Sequence, residues 1–301
     1  PVRRPTLGAL PPIHAGGAVE MPPEEDDTPP LETFEQEWPE RPPNGSQLDN
    51  FCGPMVHDAL KHQQWRIRWE AMAYVAAHLA DTRGSPGELV AAVCTIVEMA
   101  SKDKVPKVFV SALNVLDELL SDPRADVLSP DEFTGLLRGG SLGDNDSGSP
   151  SGPDLIVVLL EHAEASSGSS TASSPQQAAV EALCSCVLHG RVALDDVALP
   201  LMSRIDDALK SLNTSGKTKD RKAAQHSKSL VANVKLLGRL LSTFGLQQTG
   251  LFRRALVLPL FLRAAASDHS KVRGSAAEGI AQLAELSGGL EERSWALLPA
   301  K

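Results

Sequence analysis

Residues 65–79 of this chain read WRIRWEAMAYVAAHL, and apolar side chains recur along them at a fixed step. Ile67, Ala71, Val75 and Leu79 follow one another at intervals of four residues. Because four residues turn an α-helix by about 400°, these side chains form one apolar stripe that drifts slowly around the helix. The alanine in second position lets the backbone of a neighbouring helix approach closely. The stretch therefore predicts an amphipathic helix packed tightly against another helix.

Two further stripes repeat this pattern at a regular distance along the chain. The second stripe starts 41 residues after Ile67, and the third starts 164 residues later, which is four times that interval. Arrays of paired helices of the HEAT/armadillo kind have periods of about 40–47 residues. The spacing therefore predicts an all-α fold, an α-solenoid of about five to six HEAT-like helix pairs. The two further stripes are Val108-Ala112-Leu116-Leu120 and Val272-Ala276-Ile280-Ala284.

The composition favours helices over sheets. Hydrophobic residues make up 42% of the 301 residues, whereas aromatic residues make up only 4%, so the core is built from Leu, Val and Ala. Such a core suits close helix packing and is poor for a β-sandwich, in which aromatic and β-branched residues are enriched. No run approaches 18 consecutive apolar residues, so the sequence predicts no transmembrane helix.

The acidic charge is concentrated at one end of the chain. The net charge is −9, and residues 1–50 alone contribute −7. This segment is rich in Pro, Glu and Asp and has no helical period, which predicts an acidic, Pro-rich extended tail. The tail is either a docking segment for a partner or a plain linker. Residues 51–301 are predicted to form the helical array, with a flexible Gly/Ser-rich insertion near residues 138–153.

Five helix pairs are predicted, and a sixth pair is predicted to begin after them. Turn signals rich in Gly, Pro, Ser or charged residues separate the apolar periods. The pairs are Phe51–His62 with Trp65–Leu79, Glu88–Ser101 with Val105–Leu120, Asp154–Ala165 with Pro175–Leu188, Leu194–Leu212 with Ala223–Phe244, and Leu251–Ala266 with Lys271–Ser287, and Leu290–Leu298 begins the sixth.

In a stacked array of helix pairs, the turns inside the pairs line one edge and the turns between pairs line the other. We call these the within-pair edge and the between-pair edge. The within-pair turns are rich in Lys and Arg, except for the uncharged third turn Ser166–Ser174, whereas the between-pair turns lean acidic. A basic edge attracts an acidic protein surface, although lysines also populate solvated turns without any partner. The candidate partner-binding residues are Trp65, Arg66, Lys102, Lys104, Val105, Lys107, Lys217, Lys219, Arg221, Lys222, His269, Lys271 and Arg273.

Two tryptophans stand at the start of the first apolar stripe. Trp65 precedes the stripe in a turn and is flanked by Arg66, which predicts an aromatic anchor for a protein interface. The alternative is that Trp65 packs back onto its own helix pair. Trp69, four residues later, is predicted to pack within the helices.

The segment Gln64-Trp65-Arg66-Ile67-Arg68-Trp69-Glu70-Ala71 resembles the first repeat of a TOG domain. TOG domains are flat HEAT-repeat modules of tubulin-binding proteins such as ch-TOG, CLASP and crescerin, and the resemblance spans about residues 51–290. It implies that the within-pair edge binds the tubulin dimer or the microtubule lattice. It also implies a cytoplasmic, cytoskeletal location at the microtubule, cilium or centrosome. The residues that match the family's first, second and fifth turns are Trp65, Lys104, Val105, Lys107, Lys271 and Arg273.

Sequence motifs for catalysis or cofactor binding are not found. No phosphate-binding glycine motif opens a predicted helix after a strand, and no HxxxH or HExxH pair occurs. Cys184 and Cys186 point about 200° apart on a helix, a spacing wrong for a mutual disulfide or a zinc site, so the cysteines are interpreted as buried hydrophobes. We therefore expect a non-enzymatic protein with no catalytic residue, cofactor, metal, nucleic-acid partner or membrane partner.

An alternative function is a HEAT-type adaptor. Such a protein holds a peptide or protein partner on its helical face, and its basic turns are incidental. Nucleic-acid binding through the lysines of residues 217–228 is weaker still, because no aromatic residues interleave them and the chain beyond the tail is nearly neutral.

Overall fold

The computed structural model of this chain describes residues 47–82, 84–140, 154–164, 174–214 and 221–287. Side chains are described throughout these ranges except at residues 213–214 and 221–224. The described residues belong to one unit, Pro39–Lys301. Several predictions lie outside them: the tail before residue 47, the insertion from residue 141, the third turn before Ser174, most of the fourth turn, and Leu290–Leu298.

Twelve α-helices and two short 3-10 segments make up the regular structure of the described residues. The 3-10 segments are Leu79–Asp81 and Pro123–Val127. The helices are α1 (Gln47–Cys52), α2 (Pro54–Leu60), α3 (Trp65–Ala77), α4 (Pro86–Ser101), α5 (Pro106–Ser121), α6 (Pro130–Leu137), α7 (Leu155–Glu164), α8 (Pro175–Leu188), α9 (Leu194–Thr214), α10 (Arg221–Phe244), α11 (Arg254–Ala265) and α12 (Ser270–Leu286).

Helices that are close in sequence pack together. The pairs α2/α3, α4/α5, α7/α8, α9/α10 and α11/α12 each form a packed unit. The second helices of these pairs form one row, in which α3, α5, α8, α10 and α12 each contact the next. The first helices form another row through α4, α7, α9 and α11, with α1 against α4. The fold is therefore all-α, with mostly neighbour-to-neighbour packing.

The apolar stripes form the contact between the two rows. Val108, Ala112 and Leu116 of α5 are at most 1% exposed, and the stripe residues of α3 and α12 are buried except at the outer ends, Ile67 and Ala284. The four-residue step thus marks the buried face of three second-row helices, as the sequence predicted. The helix bounds differ from the predicted ones by no more than three residues in α3–α5 and α7–α12.

The first predicted helix, Phe51–His62, is instead two helices. Gly53 separates α1 from α2 with φ 83, and Pro54 is the first residue of α2. Glycine adopts a positive φ without steric cost, and proline fits the first turn of a helix but breaks its interior. The Gly-Pro pair therefore ends one helix and starts the next.

Helix α6 is an element that the sequence analysis did not predict. Ser129 caps it, accepting a hydrogen bond from the Glu132 backbone N–H, while the Glu132 carboxylate accepts one from the Ser129 N–H at 2.8 Å. This reciprocal capping box, with Pro130 at the first helical position, satisfies backbone donors that otherwise lack partners. The helix packs against α4 in the first row.

Candidate functional site

The described within-pair turns lie side by side along one edge. Arg68 at the start of α3 reaches Asp103 in the second turn. His162, near the end of α7, places its Nε2 atom 3.2 Å from the carbonyl oxygen of Ser101 at the end of α4. A cleft of about 500 Å³ joins the end of α7 and the start of α8 to the start of α12. Along the within-pair edge lie, in order, the first and second turns, the end of α7 with the start of α8, and the fifth turn.

Trp65 lies between two cations on this edge. The guanidinium carbon of Arg66 is 5.6 Å from the centroid of the Trp65 ring, and Nζ of Lys107 is 5.8 Å from it. Cation–π contacts at partly exposed sites contribute about 0.5–1 kcal/mol each. Since Lys107 belongs to α5, the contact connects the first turn to the second and orients the indole, which stays half-buried.

Arg68 closes the first turn and attaches it to the second. Its Nε and Nη2 atoms donate to the two carboxylate oxygens of Asp103 at 2.6 and 2.9 Å, and its Nη1 donates to the carbonyls of His62 and Gln63 at 2.6 and 2.8 Å. Burial opposes ionisation of Asp103, but the hydrogen bonds from Arg68 and from the Val105 backbone N–H outweigh it. The pKa of Asp103 therefore lies below its ordinary value.

Arg273 closes the fifth turn in the same manner. Its Nη1 donates to the carbonyls of Ser267 and Asp268 at 3.0 and 2.8 Å. Like Arg68, it follows the first stripe residue of its helix and reaches carbonyls six and five residues earlier. Although the sequence analysis selected Arg273 for partner binding, its guanidinium already holds its own turn.

Three lysines on the edge differ from these arginines. Lys104, Lys107 and Lys271 are exposed, and none has an acidic partner among the described residues. Lys102 is instead 2.5 Å from the carboxylate of Glu98. Among the described residues of this edge, Lys104, Lys107 and Lys271 therefore carry positive charge that no carboxylate of the chain neutralises.

Three arginines of the between-pair edge are paired with carboxylates of the chain. Arg124 donates to Asp122 at 2.6 Å and to the carbonyls of Leu79 and Thr82 at 2.7 Å each. These hydrogen bonds from Arg124 hold the pKa of Asp122 below its ordinary range. Arginine on this edge therefore ties one between-pair turn to the next. Two more ion pairs of this edge are Arg191 with Asp126 and Arg138 with Asp196.

The other predicted residues occupy varied positions. Val105 is half-buried just before α5, and its N–H donates to Asp103 at 2.9 Å. His269 is half-buried just before α12. Lys217 and Lys219 lie outside the described residues, and Arg221 and Lys222 begin α10 with side chains that are not described.

The prediction that Trp69 packs within the helices is wrong. Its side chain is 41% exposed, although its carbonyl accepts a hydrogen bond from Ser111 at 3.5 Å. Position 69 is about 200° around the helix from the stripe residue Ile67, so it faces away from the buried side. Trp65 and Trp69, four residues apart, instead share one face of α3. That spacing was the signal in the sequence for a larger aromatic surface.

The described residues were compared with the requirements of metal binding, thiol chemistry and membrane insertion. They include no group of three or more His, Cys, Asp or Glu residues that could hold a metal. Burial raises the pKa of the Cys52, Cys94 and Cys186 thiols to about 12, so these cysteines are poor nucleophiles. None of the described helices combines the length and apolar character needed to cross a membrane.

Neither a scan against protein-family models nor a search of curated proteins found a match to this chain. Function is therefore inferred from the residues of the within-pair edge.

Proposed function

We propose that this chain is a non-enzymatic, TOG-like α-solenoid of HEAT-type helix pairs that binds tubulin or the microtubule lattice through its within-pair edge. The two rows of helices, each packed on its sequence neighbours, support the solenoid part of the proposal. The resemblance of residues 64–71 to a first TOG repeat supports tubulin as the partner. The protein would then act at the cytoskeleton, in the cytoplasm, a cilium or a centrosome.

The observation that carries the proposal is the difference between the two edges. On the between-pair edge, Arg124, Arg138 and Arg191 are engaged with carboxylates of the chain. On the within-pair edge, Lys107 lies 5.8 Å from the ring centroid of the half-buried Trp65 and, like Lys104 and Lys271, has no acidic partner among the described residues. The within-pair edge therefore offers exposed positive charge beside Trp65, which fits an acidic partner surface.

The geometry suggests a division of roles during binding. The lysines raise the association rate by long-range attraction and then donate hydrogen bonds to carboxylates at the rim. Trp65 supplies apolar area at the first turn, and aromatic residues that lose their water on binding contribute strongly to the affinity of interfaces. Its orientation is set beforehand by Arg66 and Lys107, which lowers the entropy cost of binding.

The test is co-migration of the full chain with unpolymerised tubulin in size-exclusion chromatography, at low and moderate salt, beside a microtubule pelleting assay. We expect the triple change Trp65→Ala, Lys104→Ala, Lys271→Ala to abolish binding, and rising salt to weaken it. Arg253→Ala is the matched control, because it removes an exposed charge from the between-pair edge. Unchanged tubulin affinity of a folded triple variant would refute the proposal.

A HEAT-type adaptor for a peptide is the second candidate, and the cleft of about 500 Å³ on the within-pair edge favours it. Binding by such an adaptor would survive charge reversal at Lys104 and Lys107, since these lysines do not line that cleft.

A further inference from the structure

We propose that the cleft between α7, α8, α10 and α12 binds an acidic peptide segment of the partner protein, with aliphatic residues among its carboxylates. The inference rests on the proposed function in one respect, because Lys271 and His269 belong both to the cleft and to the within-pair edge. It adds a second kind of contact, in which a single extended segment enters a cleft instead of a broad surface meeting an edge.

Three lysines give the cleft its positive charge. Lys228 and Lys235 project from α10, and Lys271 projects from the start of α12. All three are exposed and have no acidic partner among the described residues. Lys228 and Lys235 are two helical turns apart, which is about 10 Å along the helix axis. A peptide in the polyproline II conformation has three residues per turn and a rise of about 3.1 Å, so residues i and i+3 lie on one side about 9 Å apart and their carboxylates can meet both lysines.

The carboxylate in the wall of the cleft does not cancel this charge. Glu164 accepts hydrogen bonds from Arg204 at 2.9 Å, from Ser229 at 3.0 Å and from the Asn233 amide at 2.8 Å. These partners come from α9 and α10, so the carboxylate is occupied inside the protein. Glu164 is the one carboxylate among the described residues that line the cleft, and its oxygens already accept hydrogen bonds from within the protein. The three lysines therefore remain available to a ligand.

The apolar part of the lining indicates which anion fits. Val231 and Ala232, both half-buried, lie among the lysines and offer aliphatic contacts. The described lining residues include no Phe, Tyr or Trp, the side chains on which single-stranded nucleic acids stack their bases. A peptide that mixes carboxylates with small aliphatic side chains matches both features, and a nucleic acid matches only the charge.

The experiment measures fluorescence anisotropy of the full chain with a short labelled peptide in which pairs of Glu alternate with single Leu. We expect Lys228→Glu/Lys235→Glu to lower the affinity for this peptide by about tenfold or more, because two attractive contacts become repulsive. Arg239→Glu/Arg253→Glu is the matched control, with the same charge change at two exposed residues outside both the cleft and the within-pair edge, and should keep the affinity within about twofold. Both double variants change exposed residues, and circular dichroism checks that they fold.

Each other outcome has a defined meaning. Equal binding of a peptide with Gln in place of Glu, or equal loss in both double variants, overturns the cleft as a site for acidic peptides. Tighter binding of a single-stranded oligonucleotide than of the peptide also overturns it. If tubulin fails to co-migrate while peptide binding still depends on Lys228 and Lys235, the cleft is retained and tubulin is rejected as the partner.

Discussion

A single arginine closes a within-pair turn when it follows the first stripe residue of the second helix. Arg68 and Arg273 each reach the carbonyls five and six residues earlier. The planar guanidinium can serve several acceptors at fixed angles, and at Arg68 it also binds both oxygens of Asp103. Lysine offers no such fork, and Lys104, Lys107 and Lys271 in the same turns have no acidic partner among the described residues. Residue type therefore separates the arginines that close the turns from the lysines proposed to bind a partner.

We predict that Arg68→Ala lowers the free energy of unfolding by about 2–3 kcal/mol, because it leaves the Asp103 carboxylate without its charged partner. The Asp103 side chain is 6% exposed, so water replaces the lost contact poorly. Urea denaturation at neutral pH measures the change. Arg273→Ala is the matched comparison and should lower the free energy of unfolding less, because the Arg273 guanidinium binds only carbonyls of an exposed turn. An equal loss in both variants would contradict the role given to Asp103.

The same pair makes stability depend on pH with a definite sign. The pKa of Asp103 is lowered in the folded protein, so the unfolded chain binds its proton first as the pH falls. The contribution of Asp103 is complete above its unfolded pKa of about 4 and is lost as the pH drops through the lower folded value. Thermal unfolding of the Arg68→Ala variant between about pH 3 and pH 7 should therefore show a shallower acid limb than the parent chain.

At the scale of helices, two neighbouring helices approach each other closely where the residue at their contact is small. A Cβ atom added to Gly279 of α12 would lie 2.2 Å from the ring of Phe261 in α11. The buried phenylalanine occupies the space that a side chain at position 279 needs. The pair α11/α12 therefore depends on glycine at this position for packing.

We predict that Gly279→Ala destabilises the protein by about 1–3 kcal/mol through overpacking. Gly274→Ala, in the same helix, should instead stabilise it by about 0.5–1 kcal/mol, because nothing lies within 4 Å of the added atom and alanine favours the helix. Chemical denaturation of both variants measures the difference. Stabilisation by Gly279→Ala would show that Phe261 moves aside freely.

Local sequence signals were sufficient to predict most helices but not the contacts between them. The four-residue steps located α3, α5 and α12, because side-chain period alone decides which face of a helix is buried. The break at Gly53 and the capping box of α6 are also local signals that the sequence contains, because each depends on residues within a few positions of one another. The contact of Arg68 with Asp103 joins two helix pairs, so no local pattern announces it.

The candidate site was predictable to the same extent. Exposure of Lys104, Lys107 and Lys271 follows from their place in charged turns. The engagement of Arg273 and the exposure of Trp69 depend on how side chains point from neighbouring helices, which the sequence analysis did not resolve. Two of the ion pairs on the between-pair edge likewise join residues that are far apart in the chain, so they could be identified only from the packing of the helices.

For the whole molecule, packing between neighbours implies that stability is partly local. The first helix pair meets the rest of the described chain through α1 on α4 and α3 on α5, and through the hydrogen bonds of Arg68 and Arg124. Arrays held by nearest-neighbour contacts open in segments instead of all at once. Removing the links at one junction should therefore affect one end of the chain and spare the other.

We predict that Arg68→Ala/Arg124→Ala increases amide hydrogen exchange in residues 47–82 and leaves residues 221–287 nearly unchanged. Both arginines connect the first pair to the second, Arg68 through Asp103 and Arg124 through the carbonyls of Leu79 and Thr82. Hydrogen exchange read by mass spectrometry under native conditions gives the protection of each segment. Arg204→Ala is the control from another junction: it releases Glu164 of α7 from α9 and should raise exchange in residues 154–214 instead. A uniform loss of protection in either variant would mean that the helices unfold as one cooperative unit, and the edge would then be a rigid surface whose turns cannot adjust separately to a partner.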